Sequence, residues 1–295
     1  MHNGAAIDSR DDDRLREFIE RHSRLFVLTG AGCSTESGIP DYRDADGGWK
    51  RSAPVMFHSF MGDAAIRRRY WARSLVGWRR LRAARPNDAH RALARLQQQH
   101  RVECLLTQNV DRLHQLAGSA DAIDLHGRID LVRCMSCQVR LPREDLQAEL
   151  LRLNPAWAGL DALAAPDGDA DLEALDFSSF QIPPCSLCGG VLKPDVVFFG
   201  ESVPQDRVQM SMLHLRQADA MLVVGSSLMV YSGYRFAHAA ATAGKPIAAV
   251  NLGSTRADQL LRFKVKRCCS AALAFLLQPP GGAQHARAVS FRSTR

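Results

Sequence analysis

Two short cysteine pairs constrain this chain most: Cys134 with Cys137, and Cys185 with Cys188. A short gap inside each pair and a long gap between them is the spacing of a tetrahedral four-thiolate zinc site. Each pair can turn tightly enough to aim both sulfurs at one ion, and four protein ligands leave no position for water. The spacing therefore predicts one structural Zn2+; a redox role for the pairs is the other use of such spacing. Residues suited to chemistry lie on both sides of the cysteines. The metal segment thus reads as a small module inserted into a larger catalytic domain.

The 295 residues suffice for one large core and an accessory module. No apolar run approaches the length of a membrane span. The first thirteen residues have no apolar signal core and are too acidic for a transit peptide. A cytoplasmic location without a membrane partner is the expectation. Cys33, Cys104, Cys268 and Cys269, the other four of eight cysteines, need not pair there. Much of the net charge of +7 sits in arginines 67–69, 79–80 and within 82–101. Such clusters usually form solvated helix faces. No pattern of aromatics interleaved with base-reaching side chains accompanies them, so no nucleic-acid partner is expected. An acidic small molecule or substrate group is a better use for a basic cleft.

Short apolar runs predict strands at 25–28, 102–107, 122–125, 221–224 and 247–251, with helical patterns at 11–23, 87–99, 204–218 and 233–243. The alternation argues for an α/β fold with a doubly wound, Rossmann-like parallel sheet, whose ligands bind just beyond the strand ends. Residues 55–84 read as a helical excursion and 128–193 as the zinc module. Within that module, 154–180 is loop-like by its Pro, Gly and Asp content. The tail from Pro279 reads as disordered. The domains expected are a large one (10–54, 86–127 and 194–278) and a small one (55–85 and 128–193).

Polar motifs follow the strands. Gly30, Ala31, Gly32 and Ser34 come after the first, where glycines let backbone amides approach a diphosphate. Position 35 is Thr35, so the dehydrogenase fingerprint is incomplete and hydride transfer is disfavoured. Then come Ile39-Pro40-Asp41-Tyr42-Arg43, Thr107-Gln108-Asn109-Val110-Asp111, Leu125-His126-Gly127, Lys193-Pro194-Asp195 running on to Gly200-Glu201, Gly225-Ser226-Ser227-Leu228 and Asn251-Leu252-Gly253.

Taken jointly, these motifs resemble the sirtuins, NAD-dependent protein-lysine deacylases, over residues 15–277. Finer stretches at 34–43, 69–73, 153–157, 165–169 and 230–235 resemble the class II branch. The resemblance implies a cleft between the two domains where NAD meets an acyl-lysine peptide. It implies attack of the acyl oxygen on the nicotinamide ribose, loss of nicotinamide, and deprotonation of a ribose hydroxyl by a histidine. Free lysine and O-acyl-ADP-ribose would be the products. A mono-ADP-ribosyltransferase using the same bound NAD is the alternative.

Residue by residue, the resemblance makes His126 the general base, with an imidazole that titrates near neutrality when unperturbed. It sets Asn109 at the ribose and Asp111 at the carboxamide, beside Gln108 and Val110. Gly30, Ala31, Gly32, Ser34, Gly225, Ser226 and Ser227 would serve the diphosphate and its ribose. Pro40, Asp41, Tyr42 and Arg43 would cover nicotinamide, and Asn251, Leu252, Gly253 and Cys268 would lie towards adenosine. Val197, Phe198, Phe199, Gly200 and Glu201, with Leu228 and Val230, would clamp the peptide as a strand. Tyr70 and Arg73, three apart on one helix face, match a pair that reads the carboxylate of acidic acyl groups; packing for Tyr70 and an ion pair for Arg73 is the other reading.

Overall fold

The computed structural model describes residues 9–44, 48, 50, 54–162, 168–170, 172 and 175–278. The tail from Pro279 and part of the 154–180 insert, including Ala165, Pro166 and Asp167, lie outside the described residues. In chain order the elements are α1 (Ser9–Arg21), β1 (Leu25–Thr29), α2 (Phe57–Gly62), α3 (Ala64–Ala83), α4 (Asp88–Gln98), β2 (Val102–Thr107), α5 (Leu113–Leu116), β3 (Ile123–Asp124), β4 (Gly127–Cys134), β5 (Arg140–Pro142), α6 (Arg143–Leu153), β6 (Leu192–Val196), α7 (Gln205–Gln217), β7 (Ala220–Val224), α8 (Tyr231–Thr242), β8 (Ile247–Val250), β9 (Phe263–Val265) and α9 (Cys269–Leu273).

Every residue of β1, β7 and β8 is buried, as a strand covered on both faces requires. Among the described residues these strands belong to a six-stranded sheet of order β3-β2-β1-β7-β8-β9, parallel throughout. That is the dinucleotide-binding order 3-2-1-4-5-6 once its strands are renumbered within the sheet. The order reverses between β1 and β7, whose last residues Thr29 and Val224 are in register. The crevice of such a sheet opens there, above Gly30 and Gly225.

One face of the sheet packs Leu15, Phe18, Leu93 and Leu96 from α1 and α4 against β1 and β7. The other packs Leu215, Phe236 and Ala240 from α7 and α8. A separate core gathers Phe60, Trp71, Leu75, Val132, Leu146 and Phe198 from α2, α3, α6 and β4 with the chain beyond β6. There the fully buried Arg143 lies over the rings of Trp71 and Trp78 at 5.3 and 5.2 Å, a cation–π arrangement. A second, antiparallel sheet of order β5-β4-β6 joins this core.

The arginine clusters are spent locally. Arg67 caps the carbonyls of Phe60 and Met61, Arg80 pairs with Asp161, Arg82 with Glu144 and Arg91 with Asp88. No helix among the described residues is long and apolar enough to cross a membrane.

Candidate active site

A cleft of about 770 Å³ opens at the sheet's reversal point, within the usual range for small-molecule sites. Gly30, Ala31 and Gly32 form one wall, and Gly225, Ser226 and Ser227 form another. The two turns are knitted together: Gly30 N donates to Val224 O at 3.1 Å and Gly32 N to Gly225 O at 2.8 Å. Gly225 has φ +63, and a Cβ on it would come within 2.3 Å of Cys33 N. A side chain there would thus wedge the turns apart as well as strain the backbone. Arg43, Lys50, Arg235 and Arg267 also line the cleft, against Asp41, Asp44 and Glu201; Lys50 pairs with Asp41 at 2.5 Å. Bare backbone at two glycine turns, at the switch point of this strand order and among cations, fits the diphosphate of a dinucleotide.

The end of β2 supplies the next residues. Asn109 Nδ2 donates to Gly30 O at 3.1 Å and Ser34 Oγ at 3.0 Å, which fixes the amide at the cleft wall. Asp111 is turned beneath that wall, accepting from Ser34 Oγ at 2.6 Å and Leu113 N at 2.9 Å. Burial raises its pKa above the ordinary carboxyl value, against the lowering effect of the Ser34 hydrogen bond. Ser34, Asp111 and Pro40 are not among the residues lining the cleft, whereas Asp41, Tyr42, Gln108, Val110, Asn251, Leu252, Gly253 and Cys268 are.

His126 sits between β3 and β4 and lines the cleft. Its Nδ1 lies 3.0 Å from Gln108 O. A carbonyl oxygen only accepts, so Nδ1 carries the hydrogen and Nε2 keeps its lone pair. Ser232 Oγ lies 2.8 Å from that Nε2 and donates to it. Burial, with Arg207 and Arg235 nearby, lowers the imidazole pKa to about 4, so the ring is neutral at pH 7. The next residue, Gly127, has φ +85, and a Cβ on it would meet Asp195 O at 2.1 Å. That contact lets β4 and β6 close directly behind the histidine, where Val197 N donates to His126 O at 2.7 Å.

Val197, Phe198, Phe199, Gly200 and Glu201 form one lip of the cleft, and Leu228 and Val230 face it from the other wall. Lys193, fully buried, braces the first lip by reaching Val196 O and, at 3.0 Å, Glu201 Oε2. The same carboxylate oxygen accepts from Phe198 N at 2.9 Å. Leu228, buried, holds φ +55, a cost that clusters at ligand-binding segments.

Tyr70 and Arg73 are not among the cleft's lining residues. Tyr70 is packed against Phe60, Trp71 and Phe198 at ring separations of 5.2–5.4 Å. Arg73 forks onto Asp169, with Nε and Nη2 each 2.8 Å from a carboxylate oxygen. The carboxylate it grips belongs to the chain itself, an arrangement of packing and ion pair that matches the second of the two readings of this pair.

The four cysteines converge as the spacing predicts. All four sulfurs lie within 4.8 Å of one another, with Cys134–Cys188 at 3.5 Å and Cys137–Cys185 at 3.8 Å. Tetrahedral zinc with bonds of about 2.3 Å sets its sulfurs about 3.8 Å apart, so the cluster fits one structural zinc ion. The two turns are built alike. Cys134 N bonds Val139 O and Gln138 N bonds Cys134 O; Cys185 N bonds Gly190 O and Gly189 N bonds Cys185 O. Gln138 and Gly189 each take positive φ, +64 and +73, to complete the turn.

Three further lining residues, Ser232, Arg235 and Arg267, had no individual role in the sequence reading, although the first two lie in the stretch 230–235. Ser232 and Arg235 stand on α8, where serine at a helix start reads as a cap. Arg267 comes from the loop before α9, and nothing in its local sequence marks it.

The Sir2 family model matches residues 30–232. An NAD-dependent protein deacetylase of Xanthomonas campestris pv. campestris (strain 8004) is 65% identical over 266 residues, covering 90% of this chain and 91% of that protein. NAD-dependent protein deacetylase 2 of Bradyrhizobium diazoefficiens is 66% identical over 263 residues, covering 89% and 96%. A solved structure described as "Sir2-p53 peptide-NAD+" superposes with TM-score 0.72 at 29% identity, covering 90% of this chain and 96% of that one. By family model, by identity over most of its length and by fold, this chain belongs to the Sir2 family, the sirtuins.

Proposed function

We propose that the protein is an NAD-dependent protein-lysine deacetylase of the class II branch, acting on acetyl-lysine in proteins or peptides. The observation that carries the reading is a neutral histidine that lines the cleft beside the two glycine turns, with Nδ1 on a carbonyl and Nε2 left as the acceptor. The names of the relatives support it, and the stretches at 34–43, 69–73, 153–157 and 230–235 support the branch.

When bound, NAD supplies a ribose carbon that releases nicotinamide and accepts the acyl oxygen of lysine. The chain's residues bind, orient and move protons around that event. Gly30, Ala31, Gly32, Gly225, Ser226 and Ser227 hold the diphosphate and its ribose; Asn251, Leu252, Gly253 and Cys268 take the adenosine end. Asp41, Tyr42 and Arg43 cover the nicotinamide end and exclude water. Asn109, fixed by Gly30 and Ser34, orients the ribose. Asp111 acts one step back, since its carboxylate holds Ser34. His126 Nε2 takes the proton of a ribose hydroxyl. The peptide main chain lies as a strand between 197–200 and 228–230, so affinity comes from backbone pairing with little sequence preference. Free lysine, nicotinamide and O-acyl-ADP-ribose are the products.

Acetyl and short acyl groups are favoured over acidic ones, because Arg73 is forked onto Asp169. The test is mass spectrometry of NAD products over acetyl-, butyryl- and glutaryl-lysine peptides. The reading expects O-acyl-ADP-ribose with acetyl at least as fast as glutaryl. ADP-ribose attached to protein, with no acylated product, would sink it.

A further inference from the structure

We propose that Ser232 is a positioning residue for His126: its hydroxyl fixes the imidazole and occupies the basic lone pair until a substrate hydroxyl replaces it. The contact itself is independent of the deacetylase reading; its consequence for turnover rests on that reading.

The hydrogen-bond polarity is forced. Gln108 O accepts from Nδ1, so the 2.8 Å contact at Nε2 needs a donor, and the Ser232 hydroxyl is that donor. Gln108 is itself held, its Nε2 donating to Ser226 Oγ at 2.6 Å. The next residue on α8 closes the same joint: a Cβ on Gly233 would meet Gln108 Oε1 at 2.4 Å. Two consecutive residues of α8 thus grip the base and the residue that orients it.

The surroundings leave this work to Ser232. Besides burial and the Gln108 carbonyl, the charges bearing on the ring are Arg207 from α7 and Arg235 from α8, both cations. No carboxylate among the described residues is hydrogen-bonded to His126, so the usual acidic orienter of a catalytic histidine is replaced by a carbonyl on one side and a hydroxyl on the other. Without the hydroxyl the ring is tied at one nitrogen, and the direction of the Nε2 lone pair is free to scatter. Small misplacements of that kind cost large factors in rate.

The proton count closes. A substrate O–H approaches Nε2, the Ser232 hydroxyl turns away, and Nε2 takes the substrate proton. The resulting Nε2–H then donates to Ser232 Oγ, since a hydroxyl accepts as well as donates.

The test begins with the full-length protein carrying 15N-histidine, free of NAD and peptide, by NMR of the ring nitrogens. Wild type should show His126 as the Nδ1–H tautomer with Nε2 a hydrogen-bonded acceptor. In Ser232→Ala the Nε2 resonance should move downfield towards an unbonded imine nitrogen, and Ser232→Thr should restore it. An Nε2 resonance that ignores Ser232→Ala overturns the proposal. In turnover, Ser232→Ala should lower O-acetyl-ADP-ribose formation by about tenfold, part of the ~10²–10⁴ that a positioned base supplies. KM for NAD and peptide should hold, nicotinamide–NAD exchange should persist, and Ser232→Thr should recover the rate. Equal losses in exchange and product, or a threonine variant as poor as alanine, would make Ser232 merely structural. Should wild type show the nitrogen signature yet form no acetylated product, the contact stands and the deacetylase reading falls.

Discussion

The group proposed to take up a proton, His126, is held where burial disfavours a positive charge. Burial lowers the pKa of His126 and His90 to about 4, and that of His114 well below the ordinary value. The unfolded chain binds protons at these sites near pH 6.5 and the folded one does not, so stability falls as pH drops from about 6.5 towards 4. Each of His126 and His90 contributes on the order of 3 kcal/mol across that window. Urea melts at pH 7 and pH 5 check this: the midpoint should be lower at pH 5 and should lose part of that shift in His90→Asn. The acid limb of kcat/KM should likewise lie well below pH 6.5. Arg73 gives a second prediction at this scale. Arg73→Ala leaves Asp169 without its fork and should lower Tm by about 2–6 °C, a cost of about 1–2 kcal/mol, while the acetyl-to-glutaryl rate ratio stays within about twofold of wild type, since the guanidinium is committed to the carboxylate. A glutaryl rate that collapses selectively would return Arg73 to the acyl group.

At the scale of elements, β4 and β6 couple the metal to the cleft. Cys134 ends β4 opposite Leu192 of β6, and the same pair of strands meets at Gly127 and Val196 beside His126. Removing zinc, by chelator or by Cys188→Ser, should therefore abolish turnover although no cysteine of the cluster lines the cleft. Metal analysis of wild type should give about one zinc per chain. The Lys193–Glu201 brace makes a sharper prediction. Glu201→Ala strands a fully buried ammonium and should cost about 3–5 kcal/mol. Glu201→Gln keeps an acceptor for Phe198 N and should cost less, with a higher KM for peptide in both.

At the scale of the whole molecule, a doubly wound sheet and a metal-bearing module enclose one cleft, and ligands that bridge its walls should tie them together. ADP-ribose at about a hundred times its Kd should add about 2.7 kcal/mol of stability, read as a rise in Tm that Gly225→Ala removes. Much of this architecture was legible in the sequence. The five apolar runs became strands of the large sheet, three of them, β1, β7 and β8, buried throughout. The cysteine pairs converged, because a knuckle turn is local. The edge strand β9 is three residues long and gives no periodic signal. Residues 192–196 carried no strand prediction, yet they pair with β4 across a long sequence gap that local patterns do not record. Ser232 lay within the stretch 230–235, but its contact with His126 could not be read for the same reason: the two are 106 residues apart. The register of α3 was open too, and only packing decided that Tyr70 faces Phe60 and Phe198.

The central claim is that His126 serves as the base for NAD-dependent deacetylation, and its most direct test is mass spectrometry of an acetyl-lysine peptide incubated with NAD and either wild type or His126→Ala. Wild type should yield deacetylated peptide and O-acetyl-ADP-ribose in equal amounts, and the variant neither product although it still binds ADP-ribose. Product formation that persists in His126→Ala, or nicotinamide release from wild type without any acetylated product, would contradict it.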